Sequence, residues 1–435
     1  MRLMVFAMAL LALAPCPANA GLKIEHWQTD NGIRVYFARA PELPIVDMQL
    51  VFDAGSARDG KHPGIASMTS TLLNEGAGAL DADEIAIHFE NVGAAFGTDV
   101  ELDQTSTSLR SLIDPKLFEP AFETFIKVVT APSFPERAFE RVKNQMLVGL
   151  REEAQDPDAV ASKAFYRAVY GDHPLASPTS GTEQSVRDLT REEVQTFYKR
   201  YFVAENAVLA LVGDLTRAQA EKLAARIDHS MPKGDPPAPL AKVKPLTKPK
   251  TVNIPFPSEQ AHVYIGQTGI ARGDPNYFPL YVGNHVLGGS GFISRLVKQV
   301  RVKRGLSYEV YSYFFPNLVA GPFIIGLQTR ADQAKQATEV ALDTTQQFIK
   351  EGPTEQELKL ATSNITGGFP LRTASNADIL QYLALIGYYR LPLDYLNTFN
   401  KHVEAVNRAQ IRAAFQKLLH PNRMVKVVVG GKQKG

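Results

Sequence analysis

Hydrophobic and polar residues alternate every two positions in some segments of the chain and recur at helical spacing in others. Alternation over residues 34–37 and 47–52, and a nearly continuous apolar run over 206–212, predict strands. Apolar side chains recur at helical spacing over residues 115–130, and a second helix is predicted over 136–154. Strands grouped with intervening helices favour an α+β fold in which a sheet carries helices on one face.

The pattern also repeats within the chain. Near the start of each half, a strand ends in a turn that carries the same three residue types, at an offset of 214 residues: Gly55, Ala57 and Arg58 against Gly269, Ala271 and Arg272. Near the end of each half, a helix leads into an apolar strand at an offset of 217, so that Arg191 matches Arg408 and Gly213 matches Gly430. Two distant landmarks at nearly one offset predict a tandem repeat of one fold.

A connector separates the two repeats. Residues 231–250 contain six prolines and five lysines, a composition typical of a stiff, solvated linker. The expected organisation is therefore two homologous α/β-sandwich domains, 21–230 and 251–435, that flank this linker.

Composition narrows the function classes. The chain of 435 residues is 45% hydrophobic and 21% charged, as in ordinary globular proteins, and its net charge is only +2. It thus lacks the basic excess expected of a protein that binds nucleic acid or an anionic membrane surface, and we predict neither partner.

The N-terminus predicts export. Residues 1–20 combine Arg2, an apolar run and an Ala18-Asn19-Ala20 cleavage pattern, so the mature chain should begin at Gly21 in a periplasmic or secreted protein. Cys16, the one cysteine, falls inside this signal, and Pro15 occupies the position where a lipid-anchor site wants a small residue. No later segment is apolar and long enough to span a membrane.

The helix predicted after the Gly55 turn reads GIASMTSTLLNEGAG, and residues 156–182 read DPDAVASKAFYRAVYGDHPLASPTSGT. With the C-terminal helix and strand, these segments resemble the pitrilysin family of peptidases, which includes insulin-degrading enzymes and the mitochondrial processing peptidase. The resemblance covers nearly all of the mature chain. It implies two tandem domains that form half of a clam-shell chamber.

In active members of that family, the helix carries H-x-x-E-H, whose histidines ligate zinc and whose glutamate polarises the zinc-bound water. This chain has Ser67-Met68-Thr69-Ser70-Thr71 at that place, and its nine histidines are never closer than 18 residues. The third zinc ligand would fall near Gly149, where Glu152 and Glu153 are interpreted as a solvated helix face. We therefore predict no metal or other cofactor in this chain.

A second family signature is present in the other half. Residues 286–312, VLGGSGFISRLVKQVRVKRGLSYEVYS, resemble a glycine-rich turn, a helix and then R-x-x-x-G-L-x-Y. Phe292, Leu296, Val297 and Val300 are expected to form the buried stripe of this helix, and Gly305 to end it. The resemblance implies that Arg301 and Tyr308 bind the substrate carbonyl and stabilise the oxyanion at the zinc site of the opposite half. The alternative is a helix-end arginine and a packed strand tyrosine.

Three hypotheses follow. The first is a zinc-free subunit of a heterodimeric zinc metallopeptidase, inactive alone, whose homologous partner carries H-x-x-E-H and zinc and whose substrates are peptides. The second is a purely structural or assembly subunit. The third is a peptide-binding clamp that does not hydrolyse its ligand, with residues 93–109 resembling the family's substrate-pairing strand and Gly97, Thr98 and Asp99 as candidate binding residues.

Overall fold

The computed structural model describes residues 22–431. The predicted signal, including Cys16, lies outside this range. Strands within it are β1 (Ile24–Gln28), β2 (Arg34–Arg39), β3 (Ile45–Phe52), β4 (Gly76–Ala77), β5 (Leu80–Asp81), β6 (Ala95–Val100), β7 (Thr105–Leu112), β8 (Ala207–Gly213), β9 (Lys250–Ile254), β10 (Gln260–Thr268), β11 (Glu309–Phe314), β12 (Pro322–Arg330) and β13 (Val425–Val429).

Helices account for most of the remaining structure. They are α1 (Ile65–Leu72), α2 (Ala82–Glu90), α3 (Pro115–Thr130), α4 (Glu136–Glu153), α5 (Pro157–Tyr170), α6 (Glu183–Asp188), α7 (Arg191–Tyr201), α8 (Arg217–Ser230), α9 (Tyr277–Asn284), α10 (Ala334–Glu351), α11 (Glu355–Gly368), α12 (Asn376–Tyr388), α13 (Tyr395–Glu404) and α14 (Arg408–Leu418). Short 3₁₀ and π turns connect several of them.

Two large sheets have the same topology. The first has the strand order β1-β2-β8-β3-β7-β6, and the second, read in the same direction, β9-β13-β10-β12-β11. The last strand of each repeat, β8 or β13, is parallel to one neighbour and antiparallel to the other. β8 is parallel to β2 and antiparallel to β3, and β13 is parallel to β9 and antiparallel to β10. The chain is therefore a duplicated α+β fold of two tandem domains, as the repeated residues predict.

Equivalent contacts hold corresponding helices in the two domains. Arg191 Nε donates to Phe134 O at 2.6 Å, and Arg408 Nε donates to Pro353 O at 2.6 Å. Both arginines open a helix whose N-cap side chain closes a capping box. The repeat thus extends from sequence to individual hydrogen bonds.

Each sheet buries one face against helices of its own domain. In the first domain the β3 side chains Met48, Leu50 and Phe52 are fully buried and pack with Phe122 and Phe125 of α3. Because β8 is buried at every position, its second face must also be covered.

That second face is covered by a helix of the other domain. Helix α12 packs against β2, β3 and β8 of the first sheet, and α5 packs against β10 and β13 of the second. Gly387 in α12 lies so close to β8 that a Cβ there would approach Val208 Cγ1 to 2.5 Å, while Phe165 in α5 and Tyr264 in β10 have ring centroids 5.9 Å apart. The two domains therefore exchange helices.

A buried carboxylate also joins the domains. Asp103, on the β6–β7 turn, is 1% exposed, accepts a hydrogen bond from Leu318 N at 2.7 Å and lies 3.2 Å from the Tyr389 hydroxyl. The Tyr388 hydroxyl donates to the Asp103 backbone carbonyl. Burial raises the pKa of Asp103 to about 6, although these hydrogen bonds act in the opposite direction.

The connection between the domains has no helix or strand from the end of α8 at Ser230 to the start of β9 at Lys250. Arg58 Nη1 and Arg200 Nη1 each donate to carbonyl groups of this segment at 2.8 Å, so part of it lies along the first domain. Within residues 22–431 no helix has the length and apolar character needed to cross a bilayer.

Candidate functional site

Helix α1 occupies the place at which the resemblance requires zinc ligands. Asp59 anchors its first turn, because its carboxylate accepts hydrogen bonds from Gly64 N at 2.8 Å and Ala66 N at 3.1 Å. Burial raises the pKa of this carboxyl to about 7. Ser67 Oγ donates to Thr179 O at 2.7 Å, so this hydroxyl joins the helix to the segment after α5.

Ser67 lines a large cavity in the first domain. The cavity has a volume of about 1220 Å³ and extends along α4, α5 and residues 172–183. Glu153 in its wall is paired with Lys163 Nζ and accepts a hydrogen bond from Ser180 Oγ at 2.8 Å. Glu153 was interpreted from sequence as part of a solvated helix face, whereas its carboxylate is half-exposed and neutralised by a lysine within this cavity.

These residues do not fit a zinc ion. Serine and threonine hydroxyls stand where the ligating histidines and the glutamate would be, and one carboxylate already paired with an ammonium group is not a zinc site. Among residues 22–431, no three His, Cys, Asp or Glu side chains cluster closely enough to hold a metal ion. The described residues therefore do not provide the ligand set with which active members of the resembled family hold zinc.

Arg301 and Tyr308 lie together in the second domain. The Arg301 guanidinium carbon is 4.6 Å from the centroid of the Tyr308 ring and 4.7 Å from that of Phe292, so the cation lies between two aromatic rings. Tyr308 is 80% exposed and Phe292 is 65% exposed. Among the described residues, neither the Arg301 guanidinium nor the Tyr308 hydroxyl has an ion-pair or hydrogen-bond partner.

The local backbone differs from the regular helix that the sequence predicts. A π turn at Val297–Val302 carries Arg301. Gly305, three residues after the end of this turn, has a left-handed φ of 63°, the conformation predicted for it. The predicted buried stripe is wrong at Phe292, because this residue lies in a separate 3₁₀ turn, Gly291–Ile293, and projects to the surface beside Arg301. Leu296, Val297 and Val300 are buried as predicted.

The strand that Tyr308 precedes is an edge strand. β11 begins at Glu309 and lies at the end of the second sheet, paired on one side with β12. Val310 and Ser312 are buried, while Tyr308 lies outside the ladder and is exposed. The alternative of a packed strand tyrosine is therefore wrong for Tyr308.

Gly97, Thr98 and Asp99 lie on β6, which is the edge strand of the first sheet and pairs only with β7. Thr98 and Asp99 are exposed. The structure thus joins Arg301 to Tyr308 in one site and places residues 97–99 on the sheet of the other domain.

Two features of the site had no signal in the sequence. Lys163 and Ser180 reach Glu153 across the cavity from different segments, and a lysine ten residues from a glutamate does not indicate that contact. Phe292 follows a glycine-rich turn and has the spacing of a core residue, so its stacking on Arg301 becomes visible only with the π turn in place.

The comparisons with known proteins agree with this arrangement. Residues 34–183 match the family described as "Insulinase (Peptidase family M16)", and residues 188–365 match "Peptidase M16 inactive domain". A crystal structure titled "peptidase M16 inactive domain" from Pseudomonas fluorescens superposes with a TM-score of 0.91 at 40% identity, covering 95% of this chain and 99% of that one.

More distant relatives extend over similar lengths. A "Non-peptidase homolog YmxG" of Helicobacter pylori is 27% identical over 407 residues, 90% of each chain, and an "Uncharacterized zinc protease YmxG" of Bacillus subtilis is 24% identical over 393 residues, covering 88% of this chain and 94% of that protein. A second crystal structure, "a protease from Helicobacter pylori", shares the fold with a TM-score of 0.88 at 17% identity.

The fold, the duplicated domains and these matches define an insulinase-type peptidase architecture. This chain belongs to the M16 peptidase family, and it lacks that family's zinc-binding motif.

Proposed function

We propose that this chain is the zinc-free subunit of a two-chain M16 peptidase and that it supplies Arg301 and Tyr308 to the active site of a partner carrying H-x-x-E-H. The observation that carries the proposal is the pairing of an unneutralised arginine with an 80% exposed tyrosine, in a chain without zinc ligands. Exposed hydrogen-bond donors held in a fixed relation suit the recognition of a partly negative oxygen.

Stacking explains how the donors are kept in place without a partner on this chain. The ring faces of Phe292 and Tyr308 restrict the Arg301 guanidinium through cation–π attraction, while its N–H groups stay free to donate. A salt bridge would also fix the guanidinium, but it would use the same N–H groups. The arrangement therefore favours an arginine that binds an external acceptor.

The first domain is consistent with a partner that holds the zinc while this chain supplies only Arg301 and Tyr308. Its α1 hydroxyls stand in place of H-x-x-E-H, and Glu153 is paired with Lys163, so the cavity of about 1220 Å³ lacks the zinc ligands of an active member. The "Non-peptidase homolog" and "inactive domain" names of two relatives are consistent with a subunit that does not catalyse the reaction by itself. Export to the periplasm or the medium is part of the proposal and depends on the predicted signal at residues 1–20.

The decisive experiment uses Tyr308→Phe in a reconstituted pair. The mature chain is mixed with an M16 chain that carries H-x-x-E-H, such as one encoded next to it, and turnover of a quenched fluorescent peptide is measured. Loss of one oxyanion donor typically lowers turnover about 100- to 1000-fold. Because Tyr308 is exposed and the change removes one hydroxyl, assembly should be unaffected in size-exclusion chromatography.

Tyr201→Phe is the control, since this tyrosine is half-buried in α7 of the first domain and does not line the cavity beside Ser67. Turnover of Tyr308→Phe equal to that of wild type and of the control, in an assembled pair, would overturn the donor role. The structural-subunit hypothesis would then account for the chain.

The free edge of the first sheet favours a second candidate, a peptide clamp that does not cleave. Glu101 N donates to Gln104 O, so these two residues form a hydrogen-bonded pair that continues the β6–β7 ladder. Hydrogen-bonded and non-hydrogen-bonded pairs alternate along an antiparallel ladder, and Thr98 lies three residues before Glu101. The backbone N–H and C=O groups of Thr98 should therefore face away from β7. Thr98→Pro would then remove an outward N–H needed for strand addition, whereas Thr98→Ala would not. Equal binding of a fluorescent extended peptide by both variants would exclude this edge as the binding site.

A further inference from the structure

A second cavity lies in the second domain, away from the proposed donor pair. It has a volume of about 320 Å³, within the range of small-molecule sites, and lies between α9, β11 and the 3₁₀ turn Phe369–Thr373. Helix α9 packs against α14 as α1 packs against α7 in the first domain, so the two cavities adjoin corresponding helices.

The lining of this cavity is cationic. Two cations, Arg272 and Arg372, contribute to its wall together with His285, and no aspartate or glutamate does. Neither arginine forms an ion pair within residues 22–431. The carboxylate of Asp274 is engaged by the N–H groups of Asn276, and that of Asp103 by Leu318 N and the Tyr389 hydroxyl. Within residues 22–431, the two arginines of this site therefore have no carboxylate paired with them.

The duplication provides an internal comparison for Arg272. In the first domain its counterpart, Arg58, forms a bidentate pair with the carboxylate of Asp53, with Nε 2.6 Å from Oδ1. At the same offset of 214 the second domain has Gln267, whose side chain is occupied by Leu418 O and His420 N. The second repeat has thus kept the arginine and replaced its acid.

Two side-chain nitrogen atoms at the cavity are buried without a hydrogen-bond partner among the described residues. Arg272 Nε, an obligatory donor, makes no hydrogen bond with the described residues although it is inaccessible to solvent, and His285 Nε2, which donates in one of the two neutral tautomers, is in the same position. Buried polar atoms of folded proteins nearly always have a hydrogen-bond partner, so two without one in the same wall indicate a place where a ligand binds. Burial lowers the pKa of His285, and the charge of Arg372 lowers it further.

Four aromatic side chains form much of the remaining wall. Tyr277 lies 5.7 Å from the Arg272 guanidinium carbon, and the Tyr281 hydroxyl accepts from Arg372 Nη1 at 3.0 Å. Tyr313 and Phe314 of β11 complete the apolar side. A ligand here would place an anionic group near the arginines and an apolar group against these rings.

We propose that this cavity binds a carboxylate attached to an aromatic or apolar group. The planar guanidinium of Arg272 matches a carboxylate in bidentate geometry, as Arg58 shows with Asp53, and Arg372 adds a second cation. The ligand class includes a small free acid and the C-terminal residue of a peptide, which share this chemistry. The inference is independent of a zinc-bearing partner.

The test is isothermal titration calorimetry on the full mature chain with N-acetyl-L-phenylalanine and its amide. The acid should bind and the amide should bind at least about 10-fold more weakly, because a charge-assisted hydrogen bond is lost. A pentapeptide ending in phenylalanine, with a free or an amidated C-terminus, tells which source is preferred. Equal binding of acid and amide, or no binding of either acid, would overturn the proposal.

Variants localise the binding. Arg372→Gln, on a surface turn, should weaken binding of the acid about 10- to 100-fold without unfolding the domain. Arg304→Gln is the control, since this exposed arginine contacts only Gln299 among the described residues and lies outside the cavity. Arg272→Gln should abolish binding, and if it fails to fold, Arg372→Gln still decides the question. Unchanged affinity in Arg372→Gln would place the carboxylate elsewhere.

Discussion

Lys163 places its ammonium group against the carboxylate of Glu153, inside the cavity that Ser67 of helix α1 also lines. The ammonium group of Lys163 therefore neutralises Glu153, a carboxylate close to the place where the zinc of active M16 members is expected. The metal site is therefore missing for two separate reasons: α1 lacks the zinc ligands, and the carboxylate of Glu153 in α4 is paired with Lys163 in α5.

The purified chain should neither retain zinc nor cleave peptides by itself. Its α1 helix offers hydroxyl groups in place of the two histidines and the glutamate, and Glu153 is already paired. Metal analysis after dialysis and a quenched-peptide assay measure the two properties. Near-stoichiometric zinc, or turnover that a chelator inhibits, would contradict the prediction.

Arg301→Ala should lower turnover of the reconstituted pair and also weaken substrate binding. The guanidinium is held between two rings and has no ion-pair partner in residues 22–431, so its loss removes donors but no internal salt bridge. Michaelis–Menten analysis should show kcat reduced and KM raised, with Arg304→Ala close to wild type. An unchanged kcat/KM in Arg301→Ala would mean that this arginine does not reach the substrate.

Gly387→Ala should destabilise the protein at the junction of the two domains. A Cβ at this position would lie 2.5 Å from Val208 Cγ1 and 2.7 Å from the Tyr36 ring. We expect a loss of about 1–3 kcal/mol in the free energy of unfolding, in spite of the better helix propensity of alanine. Urea denaturation measures it.

Gly367→Ala in α11 is the matched control for this change. The space around Gly367 is open, so alanine should be neutral or stabilise by up to about 1 kcal/mol. If both variants unfold at the same urea concentration, α12 is not closely packed on the first sheet.

Asp103→Asn should change the pH dependence of stability. Burial raises the pKa of Asp103 from 3.8 to about 6, so the folded state holds a proton that the unfolded state has lost between these values. Stability should accordingly fall as the pH rises from about 4 to about 6, by about 3 kcal/mol for this one group. Asparagine resembles the protonated acid and should remove that decrease.

Two other carboxyl groups also change stability with pH. Burial raises the pKa of Asp59 to about 7, so its titration overlaps with that of Asp103. Arg295 and Thr354 lower the pKa of Glu357 from 4.5 to about 2, so its titration lies below that range. Stability from Glu357 is lost as the pH falls through that lower range. Both groups are present in wild type and variant, so the difference between the two curves isolates Asp103. Parallel curves would show that Asp103 is ionised throughout this range.

Much of the fold could be predicted because local patterns agree with it. The helix predicted over 115–130 matches α3, and the run predicted over 206–212 matches β8 to within one residue. Arg191 and Arg408, recognised as a repeated pair, open corresponding helices and make the same hydrogen bond.

The exchange of α5 and α12 could not be predicted in this way. The buried residues Ala161 and Phe165 have ordinary amphipathic spacing, which indicates that a helix face is covered but not which sheet covers it. The prediction that Phe292 is buried was wrong for a related reason. It assumed one regular helix, whereas the chain forms a 3₁₀ turn and then a π turn there.

The crossed helices α5 and α12 have the arrangement that a domain-swapped dimer of two half-length chains would have. A half-length ancestor that gave α5 or α12 to a second copy of itself would have been a domain-swapped dimer, in which neither copy could cover both faces of its sheet alone. Fusion through residues 231–250 would turn that dimer into one polypeptide and leave the swap in place. The present protein has the architecture of such a dimer within one polypeptide, and because the two domains are parts of one sequence, each can carry different residues at equivalent positions.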